Sequence, residues 1–207
     1  MAEIKVLSDE AVSLAVPDQA EAQARAAALR AAGGWREVVA GEASVTVAFD
    51  PLAETAAEAG ARLRSACAAP APPLPAAGAA VLTIPVRYGG TDGPDLDAVA
   101  AETGLAAHEV IARHGASDHV VAMLGFTPGF AYLGGLDPSL CVLRRDVPRP
   151  RLPAGSVGIS GARTGLYALA GPGGWAVIGR TDARLFDPQA APPHALAPGQ
   201  RVRFVPT

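Results

Sequence analysis

The chain has 207 residues, 50% of them hydrophobic but only 5% aromatic, so its core has to be built mainly from alanine and aliphatic side chains. A formal net charge of -3 speaks against nucleic acid as the main partner, because binding a phosphate backbone needs a broad basic surface. Lys5 is the only lysine among 17 lysines and arginines, which excludes a Walker A lysine, a Schiff-base lysine within a domain and a biotin-attachment site.

Any phosphate or carboxylate handled here must therefore meet arginine forks and backbone amides. No apolar run approaches the roughly 18 residues that span a membrane, and residues 1–5 lack the charged-then-apolar order of a secretory signal. A cytoplasmic protein with no membrane partner is expected. Cys67 and Cys141 stand far apart with no CxxC pattern, which reads as two reduced thiols.

In chain order, residues 4–7 and 12–16 read as strands around the polar turn Ser8-Asp9-Glu10. Asp18 predicts an N-cap, and Glu21 completes a capping-box pattern for an alanine-rich helix that stops at Gly33-Gly34. Leu29 is the one large apolar residue of that helix, which leaves it little to bury. Residues 35–40 and 44–49 follow as strands, the second with Val45, Val47 and Phe49 on one face. Asp50-Pro51 ends it, and a second alanine-rich helix covers residues 53–68. Strands and helices interleave as a small α+β unit.

Residues 69–80 hold four prolines and read as an extended connector, so the chain divides into a small domain at 1–78 and a second at 79–207. The second opens on a strand at 81–86, with Leu82, Ile84 and Val86 on one face. Asp95 predicts the cap of a helix over 96–103, halted by Gly104, and another helix runs over 107–114. Val110 and Ile111 face inward there, and the i, i+4 spacing puts His114 beside Val110, at the rim of what Val110 buries. An apolar strand at 119–124 leads into residues 125–180, where glycine and proline are too dense for a long helix. Strands at 156–160, 164–169, 175–179 and 201–205, separated by Gly/Pro turns, predict a closed or nearly closed β-barrel.

Four features of the second domain invite chemistry. Ala154-Gly155-Ser156-Val157-Gly158 imitates a nucleophile elbow, but no helical pattern follows Ser156, so a glycine-rich loop with ligand-facing amides is the better reading. Arg144, Arg145, Arg149 and Arg151 form a basic run. Pro148 and Pro150 hold it extended with Arg149 and Arg151 on one side, an anion anchor to set against a solvated loop. Gly171-Pro172-Gly173-Gly174-Trp175 reads as a hairpin turn with a core tryptophan. His108, His114, His119 and His194 lack metal-ligand spacing, so no metal is expected, and His114 is either a general acid/base or a structural histidine.

These motifs, taken in order, resemble a family: the B-type subunit of 5-oxoprolinase, allophanate hydrolase subunit 1 and the KipI kinase inhibitor. The resemblance rests on His114, then Gly125-Phe126-Thr127-Pro128-Gly129-Phe130-Ala131-Tyr132-Leu133, Pro148-Arg149 and residues 153–159. It continues through Thr164-Gly165-Leu166-Tyr167, residues 172–175 ending at Trp175, Gly179-Arg180-Thr181 and Leu185-Phe186-Asp187-Pro188. The departures are Leu143 for the usual proline, Arg163 for glutamine, Ala168 for proline, and Ser8-Asp9-Glu10 near the start.

The resemblance implies an α+β chain, a small α/β domain followed by a cyclophilin-like β-barrel, that acts within a heteromeric complex. A KipA-like, C-type subunit would complete a carboxyltransferase-like unit, and an A-type subunit would join it to open 5-oxoproline to glutamate with ATP, the isolated chain being inactive. From their chemistry, Arg144 and Arg149, with the departing Arg163, and Gly155 and Tyr167 would bind a small carboxylate substrate or its phosphorylated form. Ser156 and nearby amides would support an oxyanion, His114 would move a proton, and Gly125, Phe126, Pro128, Gly129, Phe130 and Trp175 would shape the loop. The same resemblance allows a non-catalytic inhibitor of a sensor histidine kinase, or a component of urea or allophanate metabolism.

Overall fold

A computed structural model describes residues 3–71 and 81–207. The chain divides into two compact units, Met1–Pro75 and Ala76–Thr207. Of the proline-rich connector expected between them, residues 72–80 lie outside the described residues.

In the first unit, strands β1 (Ile4–Val6), β2 (Ala11–Ala15), β3 (Glu37–Ala40) and β4 (Ser44–Ala48) form an antiparallel sheet in the order β1-β2-β4-β3. Helices α1 (Gln19–Ala32) and α2 (Ala56–Ala66) pack on it, and Val45, Val47 and Phe49 are buried as their alternation predicts. The expectation that α1 has little to bury is corrected. Ala22, Ala24 and Ala26 are buried beside Leu29, because small side chains let the helix lie close to the sheet.

Capping differs from the sequence pattern. Asp18 accepts from the Glu21 amide at 2.9 Å, but the Glu21 carboxylate turns to Arg25 at 2.6 Å, so the reciprocal half is not made. The full box stands at α2, where Thr55 and Glu58 exchange bonds of 2.8 and 3.3 Å. Residues 50–54 are a turn on the Asp50 carbonyl, which is why α2 begins later than expected. Trp35 also lies outside its strand, with the Arg62 guanidinium 3.4 Å from the ring centroid.

The second unit is a closed seven-stranded barrel. Its strands are β5 (Leu82–Tyr88), β6 (His119–Leu124), β7 (Ala131–Gly134), β9 (Ser156–Ser160), β10 (Arg163–Leu166), β12 (Ala176–Arg180) and β13 (Arg201–Pro206), in the order β10-β7-β6-β13-β5-β12-β9. β13 runs parallel to β5, with Phe204 opposite Ile84, and the other pairs are antiparallel. Helix α3 (Leu96–Thr103) packs on β12 and α4 (Ala107–Ala116) on β13. Ile84, Val86, Val110, Leu133, Ile159, Ile178 and Phe204 fill the core, each worth about 1.5–3 kcal/mol of burial.

A separate two-stranded ribbon pairs β8 (Arg149–Leu152) with β11 (Gly171–Gly173). Residues 171–173 are thus a strand and not the expected hairpin turn. Trp175 is buried as expected, against Phe130 and Tyr132. Phe130, Leu152, Tyr167 and Val177 make a second core cluster. The fold is α+β, as the sequence predicts.

Candidate functional site

The glycine-rich stretch at 125–130 is a tight loop. Phe126 has φ 68, a left-handed value rare for a bulky residue, and the Thr127 amide donates to the Gly125 carbonyl at 2.9 Å across it. The strain holds the Phe126 ring outward, 61% exposed, edge-on to buried Phe130. Gly129, at φ 76, leaves no room for a Cβ, which would press on Phe186 and Ala168. That close approach ties the loop to the segment that follows β12.

This segment and the turn before β9 flank an open cleft of about 280 Å³. Gly155, Ala168, Arg180, Thr181, Arg184 and Phe186 are among its lining residues. Its walls are fixed by main-chain bonds: Thr181 donates to the Gly155 carbonyl at 2.9 Å and Gly155 to the Tyr167 carbonyl at 2.7 Å. Gly155 has φ 83, and a Cβ there would collide with the Thr181 carbonyl, so only glycine closes this corner.

Five charged side chains line or flank the cleft: Arg87, Asp92, Arg180, Asp182 and Arg184. Arg87 donates to both Asp182 oxygens at 2.5 and 3.0 Å and to Asp92 at 2.8 Å. Arg180 donates through Nε to the Ala154 carbonyl at 3.2 Å and stands 3.5 Å from Asp92. The Arg87 bonds hold the Asp182 carboxyl below its ordinary range and push the Arg87 guanidinium up.

A second charge cluster holds the ribbon to the barrel. Asp95 is only 3% exposed and receives a bidentate pair from Arg149 at 2.6 and 2.9 Å, a bond from Arg145, and the Val177 amide at 2.8 Å. Burial pushes the Asp95 carboxyl up, but the Arg149 hydrogen bonds, the Val177 amide and the two positive charges outweigh it and leave the group below its usual value. Asp95 stands at the N-cap position of α3, as the sequence predicts, and its carbonyl accepts from the Val99 amide at 2.9 Å, but its side chain makes no cap bond and turns to the arginines instead.

The residues expected to carry chemistry separate. His114 is not at a rim but fully buried, with Nδ1 2.7 Å from the Tyr88 hydroxyl, Nε2 3.1 Å from the Thr164 hydroxyl and its ring stacked on Phe204. Burial first, then the neighbouring His119, pushes its pKa well down, so it is a neutral core histidine. Ser156 is also buried, and its hydroxyl donates to the Pro153 carbonyl at 2.8 Å. The Gly155 amide, expected to face a ligand, is spent within the fold.

The arginines divide too. Arg149 is filled by Asp95, whereas Arg144 is exposed and reaches over Gly174. Arg163 opens β10, half-buried, opposite Ser160. Tyr167 lies 3% exposed in the aromatic cluster, its hydroxyl pKa pushed up by burial. Pro128 is exposed on the strained loop. Of all these positions, the structure places only Gly155 on the cleft.

The cleft and flanking residues missed by sequence reasoning are Arg87, Asp92, Arg180, Asp182, Arg184 and Phe186. Arg180 and Phe186 do stand within the ordered motifs, which is the signal the sequence offers for them. Among the described residues no group of His, Cys, Asp and Glu is arranged to hold a metal ion. Nor is any helix there long and apolar enough to cross a membrane.

The barrel unit of this α+β chain thus carries a charged, mostly loop-lined cleft beside β12. The chain belongs to the family described as carboxyltransferase domain, subdomain C and D, which matches residues 2–196. It is 54% identical over 125 residues to a protein of Escherichia coli O157:H7 named as the B-type subunit of 5-oxoprolinase, and 50% identical over 125 residues to one so named from Bacillus subtilis (strain 168). Each match takes in 60% of this chain, which spans 57% and 52% of those relatives. Among solved structures, TTHA0988 superposes with a TM-score of 0.81 at 35% identity, over 97% of this chain and 40% of that one.

Proposed function

We propose that this chain is the B-type subunit of a cytoplasmic, ATP-dependent 5-oxoprolinase, which works with an A-type subunit and a KipA-like, C-type subunit to open 5-oxoproline to glutamate. The observation that carries this reading is the likeness, at half or more of the aligned positions, to proteins named as that component. The geometry supports a share in a composite site. The Ser156 hydroxyl and Gly155 amide are committed to internal bonds, and His114 is sealed in the core. What this chain offers a ligand is a rigid polar cleft, so its part is to bind and orient the substrate.

At about 280 Å³ the cleft lies just under the roughly 300–1,000 Å³ of pockets that enclose drug-sized ligands, a size that suits a small acid better than a nucleotide. ATP is accordingly assigned to the assembly and not to this cleft. Co-expression with the A-type and C-type partners tests the reading: the three chains should co-purify, and glutamate should form only with both ATP and 5-oxoproline present. A well-folded assembly of all three that makes no glutamate would refute it.

A further inference from the structure

We infer that the cleft beside β12 is a subsite for a small carboxylate, with the acid held on the Arg180 guanidinium and the body of the ligand against Phe186 and Ala168. The subsite stands on geometry alone; naming 5-oxoproline as its natural ligand rests on the 5-oxoprolinase reading.

Arg87, Asp92, Arg180 and Asp182 are unequally matched. Arg87 fully engages Asp182 through two bonds and takes Asp92 at 2.8 Å as well. Arg180 is left with the longer contact to Asp92, at 3.5 Å, and with the field of Asp182, a carboxylate that Arg87 already engages. Its Nε bond to the Ala154 carbonyl at 3.2 Å fixes the plane of the guanidinium. An arginine so oriented and so weakly compensated presents a ready fork, and a carboxylate completes it better than Asp92 does at that distance. Arg184, 75% exposed at the mouth with a contact to Asp187 at 3.2 Å, adds a further positive charge at the rim.

The opposite wall is apolar. Phe186, Ala168 and buried Leu185 supply it, and Gly129 lets the loop press against Phe186 and Ala168 from behind. Thr181 anchors the floor at both ends, its amide on the Gly155 carbonyl and its hydroxyl accepting from the Ala183 amide at 3.1 Å. The walls are thus ordered before a ligand arrives, which lowers the entropic cost of binding.

The test titrates 5-oxoproline, and its uncharged lactam analogue 2-pyrrolidinone, into the full chain alone and in complex with its partner chains. Calorimetry and chemical-shift changes report binding. Arg180→Gln should weaken 5-oxoproline at least about tenfold, and Arg180→Lys, which keeps the charge without the fork, should fall in between. Asp92→Asn removes the competing carboxylate and should tighten binding about two- to fivefold, a gain that a merely structural role for Arg180 does not produce. The pyrrolidinone should bind at least about tenfold more weakly than the acid.

The subsite is overturned if 5-oxoproline binds neither the chain nor the complex, if the lactam binds as well as the acid, or if neither Arg180→Gln nor Asp92→Asn shifts the affinity. Turnover separates this from the functional reading. Binding through Arg180 without glutamate formation sinks the 5-oxoprolinase reading alone. Glutamate formation by Arg180→Gln at an unchanged KM sinks the subsite alone.

Discussion

Asp95 and Arg149 form a bidentate ion pair, 2.6 Å from Nη1 to Oδ2 and 2.9 Å from Nη2 to Oδ1, and it joins the ribbon strand β8 to the start of α3. Asp95 is almost wholly buried, so its charge depends on these partners. Asp95→Ala should lower the unfolding free energy by about 3 kcal/mol. Arg149→Lys, with one ammonium for a two-pronged fork, should cost about 1–2 kcal/mol. Denaturant unfolding reads both. An Arg149 variant of wild-type stability would show that the pair is not structural.

The pH dependence of stability follows from the buried pair His114 and His119, whose pKa values burial pushes down, and from Asp95. His114 stays neutral in the fold, whereas the unfolded chain takes up its proton near pH 6.5. Its contribution is therefore complete above about pH 6.5 and shrinks as the pH falls, by up to about 1.4 kcal/mol per pH unit for one proton. Asp95, held below its ordinary pKa, contributes fully above about pH 4 and loses that contribution as pH falls through its folded value. Unfolding measured from pH 8 to 3 should thus show two successive losses, and His114→Gln should remove roughly one proton from the upper one.

Ser156 gives a direct contrast with a nucleophile. Its hydroxyl bond to the Pro153 carbonyl is worth about 1 kcal/mol, so Ser156→Ala should lower stability by that amount and leave turnover of the assembly within about threefold. Gly155→Ala should cost about 3 kcal/mol or more, because the new methyl meets the Thr181 carbonyl at a positive φ. A Ser156→Ala assembly inactive at full stability would restore the hydroxyl to the chemistry.

Phe126 carries strain that its ring does not offset by burial. Phe126→Gly removes a cost of about 1–2 kcal/mol at the left-handed position and adds about 0.5–1 kcal/mol of unfolded-state entropy, so the variant should be at least as stable as the parent. Thermal unfolding checks this. A marked loss of stability would mean that the exposed ring contributes to folding.

The sequence exposes the fold well where periodicity is strong. Val45, Val47 and Phe49 alternate cleanly, and residues 119–124 form a continuous apolar strand, so both strands are legible. β8 and β11 are not, since Arg-Pro-Arg-Leu and Gly-Pro-Gly carry little strand propensity and exist because they pair with each other. Asp95 shows why the site is harder to read. Its place before a helix looks like a cap, and only the fold brings in Arg145 and Arg149 from 50 and 54 residues away. The spacing of His114 to Val110 suggests a rim, but the barrel closes over both. The cleft is hidden for the same reason: Arg87, Asp92 and Arg180 stand on β5, the loop after it and β12, and only β12–β5 pairing brings them together.

The most direct test of the central claim is an add-back. The A-type and C-type partners are assayed for glutamate from 5-oxoproline and ATP, first without this chain and then with the purified chain restored. The 5-oxoprolinase reading predicts negligible glutamate in the first assay and ATP-dependent formation in the second, saturating at a fixed ratio of chain to partners. Full activity without the chain, or none after a folded complex has assembled, would contradict it.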